Sequence, residues 1–139
     1  RAILGEAPIS VQAWSLTDTQ NVQAAVARYQ YGAASLVSMA SWLSPQRRRE
    51  VTVYAERGVI VFDDRAAAKL CLHHQDGTTS YPTYDPELPL AIELRAFLQL
   101  VGRRSSDVSH IELGMAIAQA IESAEESIRK GGAAVKVGV

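Results

Sequence analysis

The spacing of apolar and polar residues changes period once along this chain. From Ile9 to His73 the apolar residues come in short β-prone runs: Ile9 to Leu16, Val22 to Gln30, Ala33 to Trp42, Glu50 to Glu56, Val59 to Asp63 and Lys69 to His73. Gly, Pro or Asp/Asn separates most of them. Tyr31-Gly32, Arg57-Gly58 and Asp76-Gly77 offer residues that tolerate positive φ, so successive runs are expected to pair as antiparallel hairpins in a meandering sheet of about six strands. Beyond Pro82 and Pro86 the period lengthens. Leu90, Leu94, Phe97, Leu98 and Val101 fall three and four apart, with Pro89 in the first turn, and predict a helix ended by Gly102. Ser109 and Glu112 have the spacing of a capping box, opening a second helix that stops at Gly131-Gly132. Ala133 to Val137 can add a terminal strand. Strands first and helices afterwards predict an α+β fold, a mostly antiparallel sheet with the two C-terminal helices covering one face. At the other end, Arg1 to Leu4 followed by Gly5 and Pro8 reads as the last turn of a helix. A single turn does not nucleate itself, so the expectation is a fragment of a longer polypeptide.

Neither parity of the second and third runs is polar. Val22, Ala24 and Val26 alternate with Ala25 and Ala27, and Val37 and Met39 with Leu36, Ala40 and Trp42. An antiparallel sheet with one wet face would alternate in polarity. Helices on one side would therefore leave a second surface of Ala, Ser, Val and Met, and self-association as a homodimer or tetramer is expected there. A sheet buried by protein outside the chain is the other possibility.

Composition narrows the classes. At 139 residues, 47% of them hydrophobic, one domain spanning 1–139 is expected. The net charge of −1 and the 6% aromatic content favour neither polyanion attraction nor base stacking, so nucleic acid is not an expected partner. Cys71 is alone and no apolar stretch is long enough for a membrane helix, which together suggest a reducing, cytoplasmic setting.

Candidate chemistry is sparse. No Gly-x-Gly-x-x-Gly follows a strand, and Gly131-Gly132 stands at a helix end where it cannot cradle phosphate, so this chain alone is not expected to bind a dinucleotide. Strand alternation sends Cys71 and His73 to one face and His74 to the other, which argues against a metal site. Asp63 and Asp64 should diverge at a strand end rather than act as a carboxylate pair. Arg47, Arg48 and Arg49 are the one concentrated charge. They read either as a solvated loop or as an anion- or hydroxyl-binding loop at a cleft edge.

The order of features resembles the carboxy-terminal domain of the glucose-fructose oxidoreductase, inositol dehydrogenase and MocA family. The resemblance rests on Arg1 to Gly5, the strand Ile9 to Ala13, the hairpin at Tyr31-Gly32, the strand end Ser41-Trp42 and the Val53 to Asp64 hairpin. It continues through Pro89-Leu90-x-x-Glu93-Leu94-x-x-Phe97, Glu112-x-Gly114 and Ile121-Glu122-x-Ala124-x-x-Ser127-x-x-x-Gly131. It implies an NAD- or NADP-dependent dehydrogenase acting on a sugar, cyclitol or sugar nucleotide, in which a Rossmann domain, absent from this chain, carries the cofactor. The family's Glu-Lys-Pro segment and its Asp and His pair have no counterpart here, so no catalytic residue transfers. In relatives the loop after the strand like Ala33 to Trp42 reaches the substrate. By position that loop is Ser44 to Arg48, which makes Ser44, Gln46 and Arg47 the candidate substrate contacts. A stand-alone, non-catalytic dimerisation or ligand-binding module of the same fold is the alternative.

Overall fold

The computed structural model describes residues 4–85, 87–103 and 109–138. Arg1 to Ile3, and the Ser109 side chain that would close the capping box, lie outside this description. The chain divides into two compact units, one of residues 1–44 with 105–139 and one of residues 45–104.

In the first unit, β1 (Ser10–Ser15), β2 (Ala24–Gln30), β3 (Ser35–Ser41) and β8 (Val135–Lys136) form an antiparallel sheet in the order β3-β2-β1-β8. The register sets Val11 opposite Tyr29, Ala13 opposite Ala27, and these in turn opposite Leu36 and Ser38. Helix α2 (Ser109–Arg129) lies over β1 and β8 on that face. The core there is small: Val11, Ala13, Ala27, Val135 and Val137 are buried, with Ala120, Ala124 and Ile128 of α2 packed against them. Alanines at the contact let the helix come close to the strands.

The helix ends as its glycines predict. The Gly132 amide reaches back to the Ser127 carbonyl (2.8 Å) and the Gly131 amide to that of Ile128 (3.0 Å), with φ of 67° at Gly131 and 91° at Gly132. This paired 6→1 and 5→2 arrangement is a Schellman stop. A Cβ on Gly132 would also run into the Trp14 indole, so that glycine is required twice over.

In the second unit, β4 (Glu50–Ala55), β5 (Gly58–Asp63), β6 (Leu70–His74) and β7 (Thr79–Ser80) form a separate antiparallel meander in chain order, followed by α1 (Pro89–Arg103). Gly58 (φ 151°) and Gly77 (φ 83°) stand at two of its three turns, whereas Gly32, between β2 and β3, does not take positive φ.

The α+β, antiparallel class read from the sequence is the one the chain adopts, and the six expected runs are β1 to β6. They divide three and three between two sheets, and the very short β7 and β8 complete the four-stranded sets. Only α2 packs broadly on a sheet. Leu90, Leu94, Phe97, Leu98 and Val101 of α1 are all exposed. Helix α1 also runs one residue past Gly102, since glycine lowers helix propensity without forbidding it.

Candidate functional site

Pairing of β4 with β5 places Glu50 opposite Asp63, so the residues preceding β4 and those following β5 meet at one end of the hairpin. There the chain forms an open concavity of about 760 Å³ lined by Gln46, Arg47, Arg48, Glu50, Asp63 and Arg65. Two of the three candidate contacts, Gln46 and Arg47, are thus brought together in the second unit. Ser44 closes the first unit and is not part of that lining.

Most charges around the concavity are matched. Arg48 holds Glu50 at 2.9 Å, and that hydrogen bond, with the attraction behind it, raises the guanidinium pKa further. Asp64 takes Lys69 at 2.9 Å and lies 4.0 Å from Arg49. The Lys69 hydrogen bond and then its charge hold the Asp64 carboxyl below the ordinary range, and the same contact raises the Lys69 pKa. Asp63 turns the other way, its Oδ1 accepting the Arg65 amide at 2.9 Å. The adjacent carboxylates therefore do diverge, as strand-end geometry requires. Arg65 donates from Nη1 to the Arg47 carbonyl at 3.3 Å, tying the turn after β5 to the loop before β4. Sequence reasoning did not single out Arg65, although counting outward from the Arg57-Gly58 turn puts it opposite Arg48.

Cys71 Sγ lies 3.4 Å from His73 Nε2, and His73 Nδ1 lies 3.1 Å from Thr79 Oγ1, while His74 bonds Ser80 from the other side of β6. No group of three or more potential metal ligands is found among the described residues.

A second concavity, of about 560 Å³, lies in the first unit where α2 leaves β2 and β3 uncovered. It is lined by Tyr29, Ala40, Trp42, Ile121 and Ile128, with Arg129 at its rim. Trp42, 89% exposed, is a wall of this groove and not core.

No family model, curated protein or solved structure matches the chain.

Proposed function

We propose that this chain is the substrate-side and oligomerisation domain of an NAD- or NADP-dependent oxidoreductase acting on a sugar, cyclitol or sugar nucleotide. The observation that supports it best is the concavity beside β4 and β5, where Gln46 and Arg47 supply donors next to the acceptors Glu50 and Asp63. A polyol presents adjacent hydroxyls that each donate and accept, and a mixed polar wall of this kind can satisfy them.

The described residues do not fit a dinucleotide. The paired glycines terminate α2 instead of opening a helix toward a phosphate, and the described residues contain no strand–glycine loop–helix unit. In this reading the cofactor belongs to a separate domain of a cytoplasmic enzyme, and the present chain contributes positioning alone. Holding the substrate hydroxyls in one orientation converts binding into a reduced entropic barrier for the transfer step. No described helix is long and apolar enough to cross a bilayer.

The test is NAD(P)-dependent turnover by the intact polypeptide that carries this chain, screened over cyclitols, sugars and sugar nucleotides and followed by nicotinamide absorbance. Turnover of at least one class is expected. Ligand binding or dimerisation without any turnover would instead establish the stand-alone module.

A further inference from the structure

Five cations surround the hairpin end described above, and three of them are answered by carboxylates: Arg48 by Glu50, and Arg49 and Lys69 by Asp64. Arg47 and Arg65 have no ion-pair partner among the described residues, yet both line the same concavity. Three guanidiniums stand in that lining against two carboxylates. Glu50 is occupied by Arg48, and Asp63 accepts the Arg65 backbone amide. The Arg65 side chain is not loose: its bond to the Arg47 carbonyl fixes it beside that loop while leaving most of its donors unused. Asp63 and, through space, Asp64 offset part of this charge, yet three guanidiniums against two carboxylates leave the lining net positive, with the forks of Arg47 and Arg65 free of ion pairs. Such a pair is complementary to a multiply charged, oxygen-rich anion, which a guanidinium binds bidentately. Neutral hydroxyls would leave the excess positive charge unanswered.

We propose that this concavity binds a phosphoryl group, held between Arg47 and Arg65. Resting on the oxidoreductase reading for its biological use, the site selects a phosphorylated or nucleotide-linked sugar over a neutral polyol. Arg48 and Glu50 then form the fixed wall of the site, and Arg65 is its specificity-determining residue.

The experiment is an amide chemical-shift titration of this chain with inorganic phosphate, a hexose phosphate, a nucleoside diphosphate sugar and the neutral hexose. Phosphate and both phosphorylated sugars should move the amides of residues 46–50 and 63–66, with Kd on the order of 1 mM at low salt. The tighter of the two phosphorylated sugars identifies the source of the phosphoryl group. Arg47→Ala and Arg65→Ala should each weaken phosphate binding roughly tenfold, as expected for loss of one charge-assisted contact. Arg57→Ala, at the opposite end of the same hairpin, should leave it unchanged, and the dispersed spectrum of each variant reports that it folds. Equal shifts from the neutral hexose, phosphate shifts spread over distant arginines such as Arg129, or binding that survives both substitutions would overturn the proposal. Phosphate binding without NAD(P)-dependent turnover in the intact polypeptide would remove the oxidoreductase reading and leave the site. Turnover of neutral polyols without phosphate binding would do the reverse.

Discussion

The Oγ of Ser127 is acceptor and donor at once: it takes the Ala13 amide at 2.8 Å and gives its proton to the Ala133 carbonyl at 2.7 Å. The reason lies in the sheet edge. β8 pairs with β1 only at Ser10 and Val11, so no strand carbonyl reaches the Ala13 amide and a helix side chain takes it. Ser127 is fully buried, and Ser127→Ala would strand that amide away from water. A loss of about 1–3 kcal/mol in denaturant unfolding is expected; an unchanged midpoint would mean the amide finds another partner. Asp64 gives the pH counterpart. Its folded pKa is lowered by Lys69, so its contribution is present above the unfolded carboxylate pKa and lost as pH falls through the folded one. In a carboxyl NMR titration Asp64 should titrate below an ordinary aspartate, and Lys69→Ala should bring it back. Arg47 tests the proposed function. If the proposed site is used, Arg47→Ala in the intact enzyme should lower kcat/KM by about 1–3 kcal/mol of lost binding while changing stability by less than about 0.5 kcal/mol and cofactor affinity not at all. An intact kcat/KM would make the loop a solvated turn.

Individual strands were legible because β-propensity and turn glycines are local. Gly58 illustrates how strict such a signal can be. Its φ of 151° is a glycine conformation, and a Cβ there would be driven into the His73 carbonyl on the neighbouring strand, a contact with rigid backbone that no rotamer change relieves. Gly58→Ala should destabilise the second sheet by roughly 1–3 kcal/mol, read by unfolding monitored at amides of β5 and β6. What could not be read locally was which hairpins share a sheet. The run from Leu43 to Arg49 carries no β pattern, and the chain uses it to leave the first sheet and begin a second. The helices show the same limit. The apolar stripe of α1 repeats every three to four residues as a core-facing helix should, yet those side chains are exposed, because periodicity states that a face needs cover and not what covers it. For the candidate site, Arg47 was proposed by position from the family resemblance, whereas Arg65 required the hairpin register and Ser44 fell on the other side of a unit boundary that composition does not mark.

For the molecule as a whole, self-association is predicted through the face of the first sheet away from α2. Its register aligns Trp14, Val26 and Met39 across three strands, with Val37 beside them, and Val37 and Met39 are 66% and 73% exposed. The other end of the face is polar instead: Gln12 lies opposite Arg28, and Arg28, Gln30 and Ser35 hydrogen-bond among themselves, which satisfies these three without a partner and would place this end at the edge of a contact. An apolar row with a polar rim is the pattern of an association surface, and a net charge of −1 sets little repulsion against it. β3 is moreover an edge strand whose seven residues are all exposed, so the open surface reaches the limit of the sheet. Multi-angle light scattering should therefore give a mass that rises from monomer toward dimer with concentration. Because apolar burial drives it, added sulfate should strengthen the association, the opposite of the salt response expected at the arginine concavity. The double substitution Val37→Glu with Met39→Glu should hold the chain monomeric without unfolding it, since both side chains are already in water. A wild-type mass that stays monomeric at millimolar concentration would show that single apolar side chains on this face are tolerated in solvent and that the sheet does not associate through it.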